Sequence, residues 1–406
     1  MKKYVLLHKD LILCYFEMQG SEVTCWIIMN DQQRINHLPL PLKRVIHFIN
    51  GGYLEKFDGK AFYINEEGRY LLEAWLSDRA IPINRENITK YTRTRNTLEL
   101  MLDNKSCSLT DCYWTKELNG ESISWNQAKL FNSDKIQRLE VVIKHEKEGK
   151  QYASTNATLG GQLEKFWYYN HNSETNKNTL MLAKKTAVAN NILSIREIIA
   201  SEIYKKQGYR NYCKYEYIRN RYKQVVGCKC RAFTKEKLEL ITAYDLLEEY
   251  GLTQTNDAVN KIIECANRYG ADVNQVRNQL DIQTFVDYLI TNRDRHQNNI
   301  GFLRDPDTLK IIKIAPIFDS GSCIDMEGQL PLGVINTTVH NLYNTELDCL
   351  NSTSNIHAIN LDKLPAKKWI EKQYRYMFNS NPYTIKTYMG LYIAKLNYLK
   401  QIQQGG

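Results

Sequence analysis

The stretch "TNRDRHQNNIGFLRD", Thr291 to Asp305, decides how this chain is read. It follows an apolar run, "FVDYLI", and sets three charges, a histidine and four amides between Asn292 and Asn299. Such a run cannot be core, and for a plain surface loop it is rich in groups that hold metal and phosphate. Just downstream, "IIKIAPIFDSGSC" puts a second carboxylate, Asp319, at the end of another apolar segment. Either segment alone is explained by a turn rich in Asn and Asp between a helix and a hairpin. Two of them, each ending an apolar run, point to one catalytic face.

Working outward, the 406 residues suffice for two or three domains with real cores. Composition is that of a soluble globular protein: 43% apolar, 24% charged, few prolines and no low-complexity tract. The net charge of +9 is spread along the chain with no basic block, so it suits anionic small molecules better than direct nucleic-acid binding. The start, "MKKYVLLHKDLILCYFE", is broken by His8, Lys9 and Asp10 before it reads as a signal peptide. No run of about 18 apolar residues crosses a membrane. The ten cysteines show no C-x-x-C pair; Cys107 and Cys112 are isolated, and Cys228 and Cys230 lie two apart. Free thiols in a reducing cytoplasm are expected, ahead of zinc or disulfides.

Residues 1–88 read as a small α+β module: strands "YVLLH", "LILCYFE" and "VTCWIIM", then helices in "LPLPLKRVIHFING" and in "EGRYLLEAWLSDRAIP", the last stopped by Pro82. From 89 to 234 a connecting helix, "ITKYTRTRNTLELMLDN", leads into a β-rich section with one helix inside it. That helix carries Ile192, Ile195, Ile198, Ile199 and Ile203 at helical spacing, with Gly208 as its stop. After Thr234 the pattern turns helical, from "ITAYDLLEEYG" onward, with short strands flanking Pro316 and more helices from about 364 to 401. A sheet-rich half joined to a helical half that holds the polar cluster predicts a two-lobed enzyme.

If the substrate is a nucleoside triphosphate with magnesium, the protein must position groups and neutralise charge. The loop "TNATLGGQ" offers Thr158, Gly160 and Gly161 to the phosphates, though two glycines between strands also make a hairpin turn. Lys184 in "LMLAKK" is the cation candidate, with Lys185 its rival because strand phase is not fixed to one residue. Glu197 on the next helix could pair with that lysine, and Phe233 could face an adenine or serve as an ordinary core aromatic. Asp294 and Asn299 are five apart, the spacing of a catalytic base and a metal-binding amide in a kinase-type loop. Asp319 would add a charged magnesium ligand, since magnesium takes few protein oxygens and keeps several waters. His296 orients the loop or fills a gap, and Asn292 and Asn298 serve loop backbone groups.

At these residues the chain resembles the HipA-like kinases of bacteria, serine/threonine kinases with a two-lobed, protein-kinase-like fold. The signature N-x-D-x-H-x-x-N, then P-x-[FY]-D-x-x-S, is met by Asn292, Asp294, His296 and Asn299, and by Pro316, Phe318, Asp319 and Ser322. "TLGGQLEKFW", "LMLAKK", "REIIASEI" and "SLTDCYWTK" carry the likeness into the upper lobe; the resemblance covers about residues 105–400, and residues 1–88 more loosely. The resemblance implies ATP- and magnesium-dependent phosphorylation of a protein hydroxyl. Asp294 would be the base, Asn299 and Asp319 the metal ligands, Lys184 the phosphate contact and Glu197 its partner. It also implies self-phosphorylation near Ser154, Thr155 or Thr158, and for some members a toxin role beside an antitoxin. A kinase of a small molecule or lipid headgroup, or a nucleotide-binding scaffold without transfer, are the competing readings.

Overall fold

The computed structural model describes residues 1–49, 52–79, 97–103, 105–131, 165–186, 191–321, 334–339, 342–378 and 380–405. It is α+β, with antiparallel sheets and helices following one another as the periodicities suggest. The first sheet holds β1 (Lys2–His8), β2 (Leu11–Gln19), β3 (Glu22–Met29), β4 (Leu54–Phe57), β5 (Ala61–Ile64) and β6 (Tyr113–Glu117). Their order is β4-β5-β3-β2-β1-β6. β1 lacks polar alternation because both its faces are buried. Tyr4 and Leu6 join Phe16, Trp26 and Leu72 in one core, whereas Val5 and Leu7 meet Trp114, Trp125 and Trp167 in another. Helices α1 (Gln32–His37), α2 (Leu40–His47), α3 (Glu66–Arg79) and α4 (Thr97–Asp103) accompany this sheet, and α5 (Trp125–Ala128) brings Trp125 to its second face. The sheet of the first 64 residues is thus completed by a strand from beyond position 88.

The second sheet, in order β7-β8-β10-β9, comprises β7 (Lys165–Asn172), β8 (Lys177–Lys185), β9 (Glu216–Arg219) and β10 (Val225–Arg231). Helix α6 (Ile192–Lys206) follows β8, and Gly208, with φ of +70°, ends its turn as expected. Ile195, Ile199 and Ile203 pack on Ile282, Phe285 and Leu289, while Ile198 turns to Cys213, Tyr215 and Phe318. The helix is buried on two sides, and this fixes its charged residues in place.

The third sheet is β11 (Glu239–Thr242), β12 (Gly301–Arg304) and β13 (Ile311–Ile314). Helices α7 (Ala243–Glu248), α8 (Ala258–Arg268) and α9 (Val273–Ile290) accompany it, whereas α10 (Glu346–Asn351), α11 (Lys367–Tyr374) and α12 (Pro382–Gly405) share a core with α6 and α9. The expected helix in "ITAYDLLEEYG" starts later than its pattern suggests. Ile241 and Thr242 are strand, paired to Phe302 and Gly301, and the Thr242–Asp245 capping box opens the helix at Ala243. Among the described residues no helix is long and apolar enough to cross a membrane.

Candidate active site

Helix α9 ends at Thr291, whose left-handed conformation (φ 57°, ψ 47°) turns the chain sharply out of the helix. The turn is held from two sides. Arg196 of α6 donates to the Thr291 carbonyl at 3.1 Å, Lys395 of α12 donates to its hydroxyl at 2.9 Å, and Lys395 also pairs with Glu346. The loop then runs through Asn292–His296 into one turn of 3-10 helix, Gln297–Asn299, before β12 begins at Gly301.

The organiser of this loop is Arg295, a residue that the sequence reading passed over. Its guanidinium forms a two-pronged pair with the buried Asp287, Nε to Oδ2 at 2.7 Å and Nη2 to Oδ1 at 3.0 Å. The same Nη1 donates to the Asn299 carbonyl at 3.0 Å and to the Phe318 carbonyl at 2.6 Å. Nη2 reaches the Ser320 hydroxyl at 3.0 Å. One buried cation therefore sets Asn299 beside the segment that carries Asp319, although 20 positions separate them. Burial opposes its charge, and Asp287 more than restores it, so the guanidinium is held above its usual range. Asp287 also accepts from the Asn292 side chain at 2.9 Å.

Asp319 lies in a left-handed conformation, φ 55°, at the end of "APIF". Its Oδ1 accepts from Lys184 Nζ at 2.7 Å, and its Oδ2 is 3.7 Å from Lys165 Nζ. Lys184 in turn donates to Glu197 Oε1 at 2.6 Å, and Glu197 Oε2 accepts from the Ser320 backbone N–H at 3.0 Å. The two lysines stand directly opposite each other on β7 and β8. Like charges in that register repel unless an anion lies between them, and Asp319 is that anion. Burial opposes the Asp319 carboxylate, yet Lys184 and Lys165 hold it well below the usual carboxylate range. Burial likewise opposes the Lys184 ammonium, but Asp319 and Glu197 keep it well above the usual lysine value. Burial raises the Glu197 carboxyl against the pull of Lys184.

Of the two adjacent lysines, Lys184 meets these carboxylates, and Lys185 lies over the Phe166 ring, 5.0 Å from its centroid. Phe233 is half-buried with its ring 5.6 Å from that of Phe318, beside the Asp319 segment. Thr158, Gly160, Gly161, Ser154, Thr155, Ser322 and Pro82 lie outside the described residues. The Asn299 side chain donates to the Asp294 carbonyl at 3.0 Å and contacts His296 Nε2 at 3.2 Å, which leaves its oxygen turned outward from both. His296 thus braces the Asn299 amide. Asn292 serves the loop backbone, accepting from the Asp294 N–H at 3.4 Å, whereas Asn298 accepts from the Thr242 hydroxyl instead. The Asp294 carboxylate is half-buried, and no hydrogen bond or ion pair engages it among the described residues. A neutral amide oxygen on Asn299 and a charged carboxylate on Asp319 are hard-oxygen donors of the kind magnesium takes. Bound there, magnesium would supply charge neutralisation on a phosphate.

Lys165 also escaped the sequence reading. It sits at the start of β7, where "QLEKFW" shows an ordinary charged position, and only the pairing with β8 reveals its neighbour.

Fold and site together define an α+β protein in which two lysines, two acids and a buried arginine tie a sheet to a polar loop. No protein-family model and no curated protein matches the chain. It is similar to the solved proinflammatory kinase CtkA of Helicobacter pylori at 20% identity, over 60% of this chain and 90% of that one, with a TM-score of 0.42. It is also similar to a structure of the toxin–antitoxin system HipA and HipB of Shewanella oneidensis with its operator DNA, at 10% identity, 99% coverage of both chains and a TM-score of 0.49.

Proposed function

We propose that this protein is an ATP- and magnesium-dependent kinase that transfers the γ-phosphate to a serine or threonine hydroxyl of another protein. One observation carries the reading: Arg295 binds the carbonyls of both Asn299 and Phe318, so that loop and Asp319 segment form one unit beside Lys184 and Glu197. In this reading Asp294 accepts or orients the proton of the attacking hydroxyl, and its unengaged carboxylate suits that task. Asn299 and Asp319 hold magnesium. Lys184, fixed by Glu197, contacts the phosphates, with Lys165 beside it. Were Asp319 to bind a metal, Lys184 would keep Glu197, and an anionic phosphate would be its natural second partner. Thr158, Gly160 and Gly161 would cover the phosphates, and Phe233 would line the adenine side.

The test is phosphate transfer from ATP to protein acceptors with magnesium, comparing wild type with Asp294→Ala. Retained ATP binding with transfer reduced at least a hundredfold supports the reading. Equal transfer by both forms would end it. Transfer to small molecules or lipid headgroups alone would move the acceptor class, and binding without any transfer would leave a nucleotide-binding scaffold. A toxin role beside an antitoxin-like partner belongs to the same proposal. Growth arrest on expression that disappears with Asp294→Ala supports it.

A further inference from the structure

Away from this site, three residues with metal-binding side chains meet in the interior from distant parts of the chain. His8 ends β1, Cys112 precedes β6 and Glu239 opens β11. All three are buried, and their ligand atoms lie within 4.8 Å of one another. Backbone groups fix the arrangement: Lys9 N–H donates to the Cys112 carbonyl at 3.0 Å, and Cys112 N–H to Glu239 Oε1 at 3.0 Å. His8 Nε2 is 2.7 Å from that same carboxylate oxygen. The other oxygen, Oε2, is taken by Arg304 at 2.8 Å and 3.1 Å.

A second imidazole lies nearby. The ring of His37, on α1, lies 5.3 Å from the ring of His8, centroid to centroid. Its Nδ1 is 2.8 Å from the Gln33 carbonyl. A carbonyl only accepts, so the proton sits on Nδ1 and Nε2 carries a lone pair, with no partner among the described residues. Histidines that bind metals characteristically donate their other ring N–H to a carbonyl in this manner.

We propose that His8, Cys112 and Glu239 bind a zinc ion, with His37 Nε2 as the fourth ligand. A nitrogen, sulfur and oxygen set of this kind suits tetrahedral zinc, with bonds of about 2.0–2.3 Å and ligand atoms therefore roughly 3.5 Å apart. The thiolate excludes magnesium and calcium, which take hard oxygens. Reaching that geometry asks His8 Nε2 and Glu239 Oε1 to separate by somewhat under ~1 Å, asks His37 to swing in toward the other three, and leaves Arg304 on Oε2. Zinc enters, and two protons make way for it: the Cys112 thiol proton leaves to solvent, and so does the proton by which His8 Nε2 meets the Glu239 carboxylate, leaving His8 protonated on Nδ1. Nothing is oxidised. The ion would staple the first sheet to β11, whose partner β12 leaves the polar loop of the active site.

Full-length protein expressed with zinc in the medium is expected to carry about one zinc per chain by elemental analysis. Stripped protein titrated with cobalt(II) is expected to show tetrahedral visible bands and a near-ultraviolet thiolate-to-cobalt band. Cys112→Ala abolishes the thiolate band. His37→Ala, at a half-exposed position that leaves folding intact, weakens cobalt binding at least tenfold. Folded wild-type protein that holds no zinc and gives no thiolate band overturns the site. A thiolate band persisting in Cys112→Ala overturns it too, and unchanged affinity in His37→Ala overturns the fourth ligand.

Discussion

Arg295 is where one side chain decides the most. Replacing it with methionine leaves the Asp287 carboxylate buried without its partner, a change that costs roughly 3–5 kcal/mol. Arg295→Lys keeps the charge but not the fork, and cannot reach Asp287, Asn299, Phe318 and Ser320 together. Expected for Arg295→Lys is a folded protein with a lower Tm, ATP affinity changed less than fivefold and transfer reduced at least tenfold, read by calorimetry, nucleotide titration and initial rates. Part of the residue-scale site was legible in the sequence: the segment that carries Asp294 and Asn299 and the one that carries Asp319 each follow an apolar run, and the five-residue spacing of Asp294 and Asn299 suggested a shared task. Arg295 was not, because an arginine between two polar residues looks solvated until its carboxylate partner, eight positions back on a helix, is seen to be buried. Lys184 could not be told from Lys185 for a related reason. Pleat phase depends on the register with β10, where Cys228 faces Lys184, and no local pattern encodes that register.

At the scale of elements, the packing of α6 against the Asp319 segment leaves no room for a side chain at Gly321. A Cβ there would stand 2.3 Å from the Leu193 carbonyl and 2.6 Å from Glu197 Cγ. The obstacle is partly helix backbone, so Gly321→Ala must push the two elements apart, at about 1–3 kcal/mol. The expected outcome is a lowered Tm together with loss of most transfer activity, since Ser320 N–H can no longer hold Glu197. A second element, α2, buries Lys43 with its amine 3.3 Å from the Tyr269 hydroxyl. Burial, opposed in part by Glu249, pushes this amine down to about 8 from its usual 10.5. Between these values the unfolded chain binds more protons than the folded one, so this group's contribution to stability rises with pH across that window. Below about 8 the full cost of burying the ammonium is present. Lys43→Met is therefore expected to be the more stable form at pH 7, by on the order of 2 kcal/mol, with the difference narrowing from pH 8 to 10.5. Urea unfolding at a series of pH values checks this. The longer helices were readable from their periodicity, and α6 also from its stop at Gly208, whereas the short α1, α5 and α10 were not. The short strand β11 was not, because its Ile241 also fits the helical pattern that follows, and only pairing with β12 makes it strand.

For the whole molecule, composition and pattern order were enough to indicate an α+β chain, with strands, one helix, strands and then helices. They could not show that Tyr113–Glu117 closes the first sheet, since hydrogen bonding between β1 and β6 spans about a hundred residues. Nor could any spacing reveal that His8, Cys112 and Glu239 come together, for local motifs carry no information on contacts of that length. A fragment that begins at residue 97 keeps β6 but loses every strand it could pair with. It also bares Trp114, Trp125 and Trp167 on the side that Val5 and Leu7 cover. Such a fragment is expected to pellet on expression, whereas the full chain stays in the supernatant.

The late arrival of β6 bears on how the protein is made. During synthesis at roughly 5–20 residues per second, the stretch between β5 and β6 takes several seconds to follow the five earlier strands out of the ribosome. Throughout that interval the edge of β1 stands open, a ready template for another nascent chain. Slowing translation just ahead of Tyr113 would lengthen the exposure, and the yield of native protein would then depend on how well a chaperone shields one strand.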